Sequence, residues 1–209
     1  MIDVYSWPTP NGRKIAIALE EMELPYTFHP IDIRKNEQFG AEFLVIAPNN
    51  RIPAIIDRET GMTLMESGAI LIYLAEKSGK LLSSDRERRM RTLEWLMWQM
   101  GGLGPMLGQV HHFVHYNPEA SDYARERYLT EAKRLYGVLD RRLEGREYIA
   151  DDYSIADIAA WPWISRYDWQ GIDLNEYPHV RRWYLSIADR PAVQRGYNVP
   201  VWINDIPRP

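Results

Sequence analysis

The chain has 209 residues, 45% of them hydrophobic, and a formal net charge of −4 from 25 basic and 29 acidic side chains. That length fills one large or two small domains, and the scattered basic residues leave no footprint for nucleic acid or an anionic membrane surface. The chain has no cysteine, which excludes disulfides, thiolate metal sites and a Cys-x-x-Cys redox pair, so any thiol chemistry must use a thiol that a ligand brings. No apolar stretch reaches the roughly 18 residues of a membrane span, and the start Met1-Ile2-Asp3-Val4-Tyr5 lacks the basic and apolar regions of a secretory signal. The expected location is the cytoplasm.

Residues 2–6 alternate in the manner of a strand, and Pro8 and Pro10 stop it before an amphipathic helix over 11–22 with Ile15, Ile17, Ala18 and Leu19. Residues 26–33, with Phe28 and Ile31, predict a second strand, and 38–45 a short helix that ends near Pro48. Asn49-Asn50 is a turn. Residues 53–58 and 62–65, joined across Glu59-Thr60-Gly61, predict a hairpin, followed by a helix to Lys77. This order, βαβ then ββα, predicts a compact mixed sheet. After Ser78-Gly79-Lys80 the strand signals vanish, and helices are predicted over 85–116, 121–143, 154–167, 177–189 and 191–197. The fold class is therefore α+β, with a first domain over 1–79, a linker near 78–84 and an all-α domain over 85–209. Ser154-Ile-Ala-Asp157 fits a capping box, whose role is in folding.

Two segments carry chemistry. Arg51-Ile52-Pro53-Ala54 places a proline at the head of an apolar strand, where it starts an edge or occupies a cis bond, and it frees Ile52 to hydrogen-bond a peptide-like ligand. Glu66-Ser67-Gly68 then opens a helix: unpaired N–H groups and the positive dipole end at Ser67 favour an anion, and Glu66 favours a cation. In Thr9-Pro10-Asn11-Gly12, Asn11 either caps the following helix or turns its amide toward a ligand.

These segments, in this order and with Trp98-Gln99-Met100-Gly101-Gly102-Leu103-Gly104-Pro105, resemble the cytosolic glutathione transferases, specifically the bacterial Nu-class, disulfide-bond reductase branch. The resemblance spans nearly the whole chain up to about Arg195. It implies a thioredoxin-like N-terminal domain followed by an all-helical C-terminal domain, a homodimer, and glutathione as cosubstrate with a small disulfide or other electrophile as partner. On the same resemblance Thr9 and Asn11 lie beside the glutathione sulfur, with Tyr5 and Ser6 as rivals for that role. Ile52 would pair with the cysteinyl backbone, Glu66 and Ser67 would take the γ-glutamyl ammonium and carboxylate, and Gln38 and Arg51 would face the glycyl end. Arg51 reads equally as a solvated turn residue. Gln99 and Arg134 could reach the ligand from the second domain or a partner subunit, or could be surface polar groups. The expected activity is glutathione-dependent disulfide reduction. The alternatives are conjugation or peroxide reduction on small electrophiles, and a non-catalytic regulator on the same fold.

His111, His112 and His115 include an i, i+4 pair at metal-ligand spacing, but no further ligand is near in sequence, and no metal is expected. The recurring tryptophans read as core and interface residues. Gly101, Gly102, Gly104 and Gly108 interrupt a helix and predict a kink at the domain and subunit contact. The tail over 198–209 carries Trp202, which is expected to dock near the electrophile.

Overall fold

β1 (Ile2–Ser6) is an inner strand, parallel to β2 (Tyr26–Pro30) and antiparallel to β3 (Ala54–Asp57); β3 pairs with β4 (Thr63–Met65), giving the order β2-β1-β3-β4. Val4 sits opposite Ile55, and Tyr5 opposite Ala54. Because side chains alternate across a strand, these two pairs face different layers. Ile2, Val4 and Ile55 are buried together with residues of α1 (Pro10–Met22) and α3 (Ser67–Ser78), two helices that pack on each other. Tyr5 and Ala54 face the other way, into a cluster with Phe43 and Ala47 at α2 (Ala41–Ile46). The helix expected over 38–45 is divided there: a 3₁₀ turn spans Glu37–Phe39, and extended Gly40 caps α2.

The computed structural model describes residues 1–209 and divides into two units, one of Met1–Leu82 with Asp189–Ile206, the other of Ser83–Ala188 with Pro207–Pro209. The expected helical domain over 85–209 is corrected at its end, because residues 189–206 pack with the first unit. Charge and close approach explain this. Arg190 grips Glu21 through two bonds of 2.6 and 2.8 Å, and Arg195 reaches Glu20 at 2.6 Å. In α9 (Pro191–Tyr197), a Cβ on Gly196 would lie 2.8 Å from the backbone of Ile17, so only glycine lets the two helices meet this closely. Arg13, 1% exposed, donates to the Tyr197 carbonyl at 2.8 Å and to Asn204 Oδ1 at 3.1 Å, and lies 3.6 Å over the Tyr197 ring. The tail is thus tied to α1. Trp202, on this tail, is 64% exposed and donates to Asp205 at 3.3 Å.

In the second unit, α4 (Arg86–Trp98) passes into a π-helical turn (Gln99–Leu103), α5 (Gly104–Val110) and a second π-helical stretch (His111–Tyr116), so the long helix expected over 85–116 is continuous in course but widened twice. Gly104 and Gly108 make room for Trp163, whose atoms would lie 3.3 and 3.5 Å from the missing Cβ atoms. α6 (Asp122–Leu143) packs on α8 (Pro178–Ala188), and α7 (Ile155–Ile164) supplies the buried Trp161. No helix is long and apolar enough to cross a membrane.

The capping box at α7 forms as expected, and Asp157 does more than cap. It accepts from the N–H groups of Ser154 and Ile149 at 3.0 and 2.9 Å and from the Trp183 indole at 2.8 Å. Burial pushes its carboxyl up to about 6 against these donors. An Asp157→Ala protein leaves the Ile149 N–H and the Trp183 indole buried without an acceptor, a cost of roughly 2–6 kcal/mol at about 1–3 for each. Urea unfolding monitored by tryptophan fluorescence should show that loss, and an unchanged midpoint would contradict the assignment.

Candidate functional site

The end of the sheet where β1 stops gathers most of the expected residues. Opposition of Tyr5 to Ala54, and of Ala54 to Met65, brings the exit of β1, the Ile52-Pro53 entry to β3 and the Glu66-Ser67 exit from β4 to one edge. The chain after β2 joins them, because the Ile31 N–H bonds the Ser6 carbonyl at 2.9 Å.

Thr9, not Asn11, caps α1: its backbone is extended, and its Oγ1 accepts the Gly12 N–H at 3.2 Å. A hydroxyl that accepts one bond keeps a proton to donate. Asn11 stands in the first helical turn, half-buried. The turn is tightly closed, since a Cβ on Gly12 would fall 1.9 Å from the Trp7 carbonyl oxygen and 2.5 Å from Ser6 Oγ. Ser6 is completely buried, with its hydroxyl toward the Trp7 carbonyl. Tyr5 stacks on His29 at 4.6 Å, and burial raises its phenol pKa, which makes it a weaker proton donor.

At the second corner the Ile52–Pro53 bond is cis, and pairing of β3 with β1 begins only at Ala54, leaving the Ile52 peptide outside the ladder. Gln38 bonds the Asn50 side chain through its carbonyl at 3.1 Å, while its Oε1 is buried with no protein donor. An unsatisfied buried acceptor is the kind of atom that a ligand N–H or a water completes. Arg51 is exposed.

At the third corner Glu66 has φ 70° and ψ 110°, a conformation that costs a non-glycine residue about 1–3 kcal/mol and that clusters at functional sites. Its carbonyl accepts the Ile70 N–H at 2.9 Å while its side chain is left out of the cap, in an exposed residue. Ser67, 3% exposed, accepts from Lys14 Nζ at 3.2 Å. Lys14 is itself 1% exposed, and burial lowers it to about 7 while Glu66 pulls it up. The sequence reading passed over Lys14, which in an amphipathic helix looks like a solvated charge. The available signal was spacing: Lys14 precedes the apolar Ile17 and Ala18 by three and four residues, the same helix face.

Two expected residues belong to the second unit. Gln99 is fully buried there, its Nε2 2.7 Å from where a Gly104 Cβ would stand. Arg134, exposed on α6, is held by two bonds of 2.7 and 2.8 Å to Glu131. His111 is also a core group: Gln170 bonds it at 2.9 Å, and burial lowers it to about 4.

Family models describe this architecture. Residues 1–76 match the glutathione S-transferase N-terminal domain, and residues 103–191 the glutathione S-transferase C-terminal domain. The chain belongs to the glutathione S-transferase family. It is 53% identical over 198 residues to the disulfide-bond oxidoreductase YfcG of Escherichia coli, covering 92% of each chain. It is 39% identical to the disulfide-bond oxidoreductase YghU of the same organism, over 93% of this chain and 73% of that one. Among solved structures, a glutathione transferase from Pseudomonas putida, with one glutathione disulfide bound per subunit, superposes with a TM-score of 0.90 at 46% identity, over 95% of this chain and 91% of that one. A Burkholderia graminis transferase with two glutathione molecules bound per subunit gives 0.90 at 45%, over 95% and 88%.

Gly12→Ala tests the closed turn of this transferase. The forced clash should lower stability by about 1–3 kcal/mol or more and sharply reduce glutathione-dependent turnover. Wild-type melting temperature and turnover would contradict this geometry.

Proposed function

We propose that the protein is a glutathione-dependent disulfide-bond reductase of the transferase fold, with glutathione as cosubstrate. The observation that carries the reading is that a chain without cysteine, 53% identical to a disulfide-bond oxidoreductase, holds hydrogen-bond donors on a rigid turn at the end of β1. The nucleophile is then the glutathione thiolate, since attack on a disulfide needs the ionised thiol. It displaces one thiolate from the substrate disulfide and forms a mixed disulfide with glutathione. A second glutathione thiolate attacks that species, releasing the other half as a thiolate and leaving glutathione disulfide. Electrons balance without a protein sulfur.

The roles within this reading follow from chemistry. The Thr9 hydroxyl proton and the Asn11 amide donate to the thiolate, and such bonds favour the charged form and lower its pKa. The Ile52 peptide pairs with the cysteinyl backbone, Glu66 takes the γ-glutamyl ammonium, and Ser67 with the first turn of α3 takes its carboxylate. Gln38 and Arg51 face the glycyl end. We also place the protein in the cytoplasm, where glutathione is kept reduced, as a homodimer. Support for the dimer is that Met90 and Met97, seven residues apart on α4, are 58% and 53% exposed, apolar side chains that a second copy would cover.

Loss of one hydrogen bond to a charged sulfur is worth about 1.5–3 kcal/mol. An Asn11→Ala protein should therefore bind glutathione nearly as the wild type does, by calorimetry, while its rate on hydroxyethyl disulfide drops roughly tenfold to a hundredfold. Ser6→Ala should keep its rate. An unchanged rate in the Asn11 variant, or a loss confined to the Ser6 variant, overturns the assignment.

A further inference from the structure

We propose that Lys14 is a positioning residue for the anionic end of bound glutathione: its buried amino group, hydrogen-bonded to Ser67 Oγ at 3.2 Å, sets a positive charge behind the first turn of α3 when the ligand is bound. The inference rests on the reading that Ser67 and that helix end receive the γ-glutamyl carboxylate. Three observations carry it. Lys14 and Ser67 are 1% and 3% exposed, so their bond lies in a poorly screened interior. The ammonium meets α3 at Ser67, its first residue, where orphan N–H groups already favour an anion. The helix carrying Lys14 is otherwise apolar across this stretch, with Ile15, Ala16, Ile17, Ala18 and Leu19 all buried. A hydrophobic side chain there would avoid the desolvation of an ion, and replacing buried ions by apolar groups of similar volume is often neutral or stabilising. Retention of the charge against that cost points to a task outside folding.

The charge acts through Ser67. A lysine donating to Oγ fixes where the serine oxygen stands and adds its field to the helix dipole, and both are felt by a carboxylate placed at Ser67. Glu66, in the turn ahead of α3, is the charged group whose field raises Lys14 against the lowering by burial. Of the other charges on the packed elements, Arg13 of α1 bonds Tyr197 and Asn204, Glu20 and Glu21 of α1 bond Arg195 and Arg190, and Lys77 toward the far end of α3 bonds Asp57. Burial brings Lys14 to about 7, so in the free protein its charge is lost as pH rises through neutrality. A bound carboxylate favours the charged form and draws a proton in.

The test uses S-methylglutathione, which has no titrating thiol, and its analogue with the γ-glutamyl carboxylate converted to a carboxamide, both measured by calorimetry. In wild type the carboxylate form should bind more tightly. In Lys14→Met the preference should shrink roughly tenfold to a hundredfold, with the melting temperature held or raised. A preference equal to that of wild type overturns the inference and leaves the glutathione reading standing, whereas a wild-type protein that binds neither ligand overturns that reading first. The folded wild type gives a second readout: affinity for S-methylglutathione should fall between pH 6 and pH 8 and stay flat in Lys14→Met. A flat wild-type profile overturns the proposal whether or not the variant folds.

Discussion

Helix α1 has no water-facing side through its middle: every residue from Gly12 to Leu19 is buried. A helix enclosed in this way must satisfy its polar groups inside the protein, and here two consecutive residues, Arg13 and Lys14, have basic side chains. Arg13 answers by gathering in the tail, through Tyr197 and Asn204. Lys14 answers by bonding Ser67. The same enclosure leaves no slack at the head of the helix, where Gly12 touches the Trp7 carbonyl and Thr9 closes the cap. The turn that would hold the sulfur is therefore positioned by packing on three sides, so its donors are oriented before any ligand arrives, the arrangement that electrostatic stabilisation requires.

This explains how a chain without cysteine can carry thiol chemistry. What the protein contributes is orientation and charge, placed on rigid elements at one end of a small sheet. The strained Glu66 backbone fits the picture, because the conformation that costs energy also leaves the side chain outside the helix cap. The far end of α3 pins that element: Asp57, completely buried, would be raised by desolvation, yet Lys77 and Tyr73 hold it at about 2. One helix thus has an end anchored at the hairpin and a first turn at the corner proposed for the ligand.

Much of this was legible in the residues. The strand pattern of 2–6, the proline before Ala54 and the Glu66-Ser67 start of α3 each follow from local rules, and order and spacing did the rest. The Ser154 and Asp157 capping box was equally readable, because it depends on four consecutive residues. What escaped depends on contacts distant in sequence. Gly196 matters only because α9 lies on Ile17, a contact across 179 residues, and the assignment of residues 189–206 to the first unit follows from it. The complete burial of Gln99 beside Gly104 likewise has no local mark in the sequence. Lys14 was hidden for a related reason: a charge in an amphipathic helix is ordinarily solvated, and only the neighbouring layers show that this one is enclosed.

In the proposed reaction the turn at Thr9 and Asn11 ionises a thiol supplied by the ligand. The ultraviolet absorbance of the thiolate of protein-bound glutathione, titrated with acid, tests it most directly. The expected midpoint lies at least one unit below the ordinary thiol value of about 8.5 and moves back toward that value in an Asn11→Ala protein. A bound thiol that titrates at or above its value in water would contradict it.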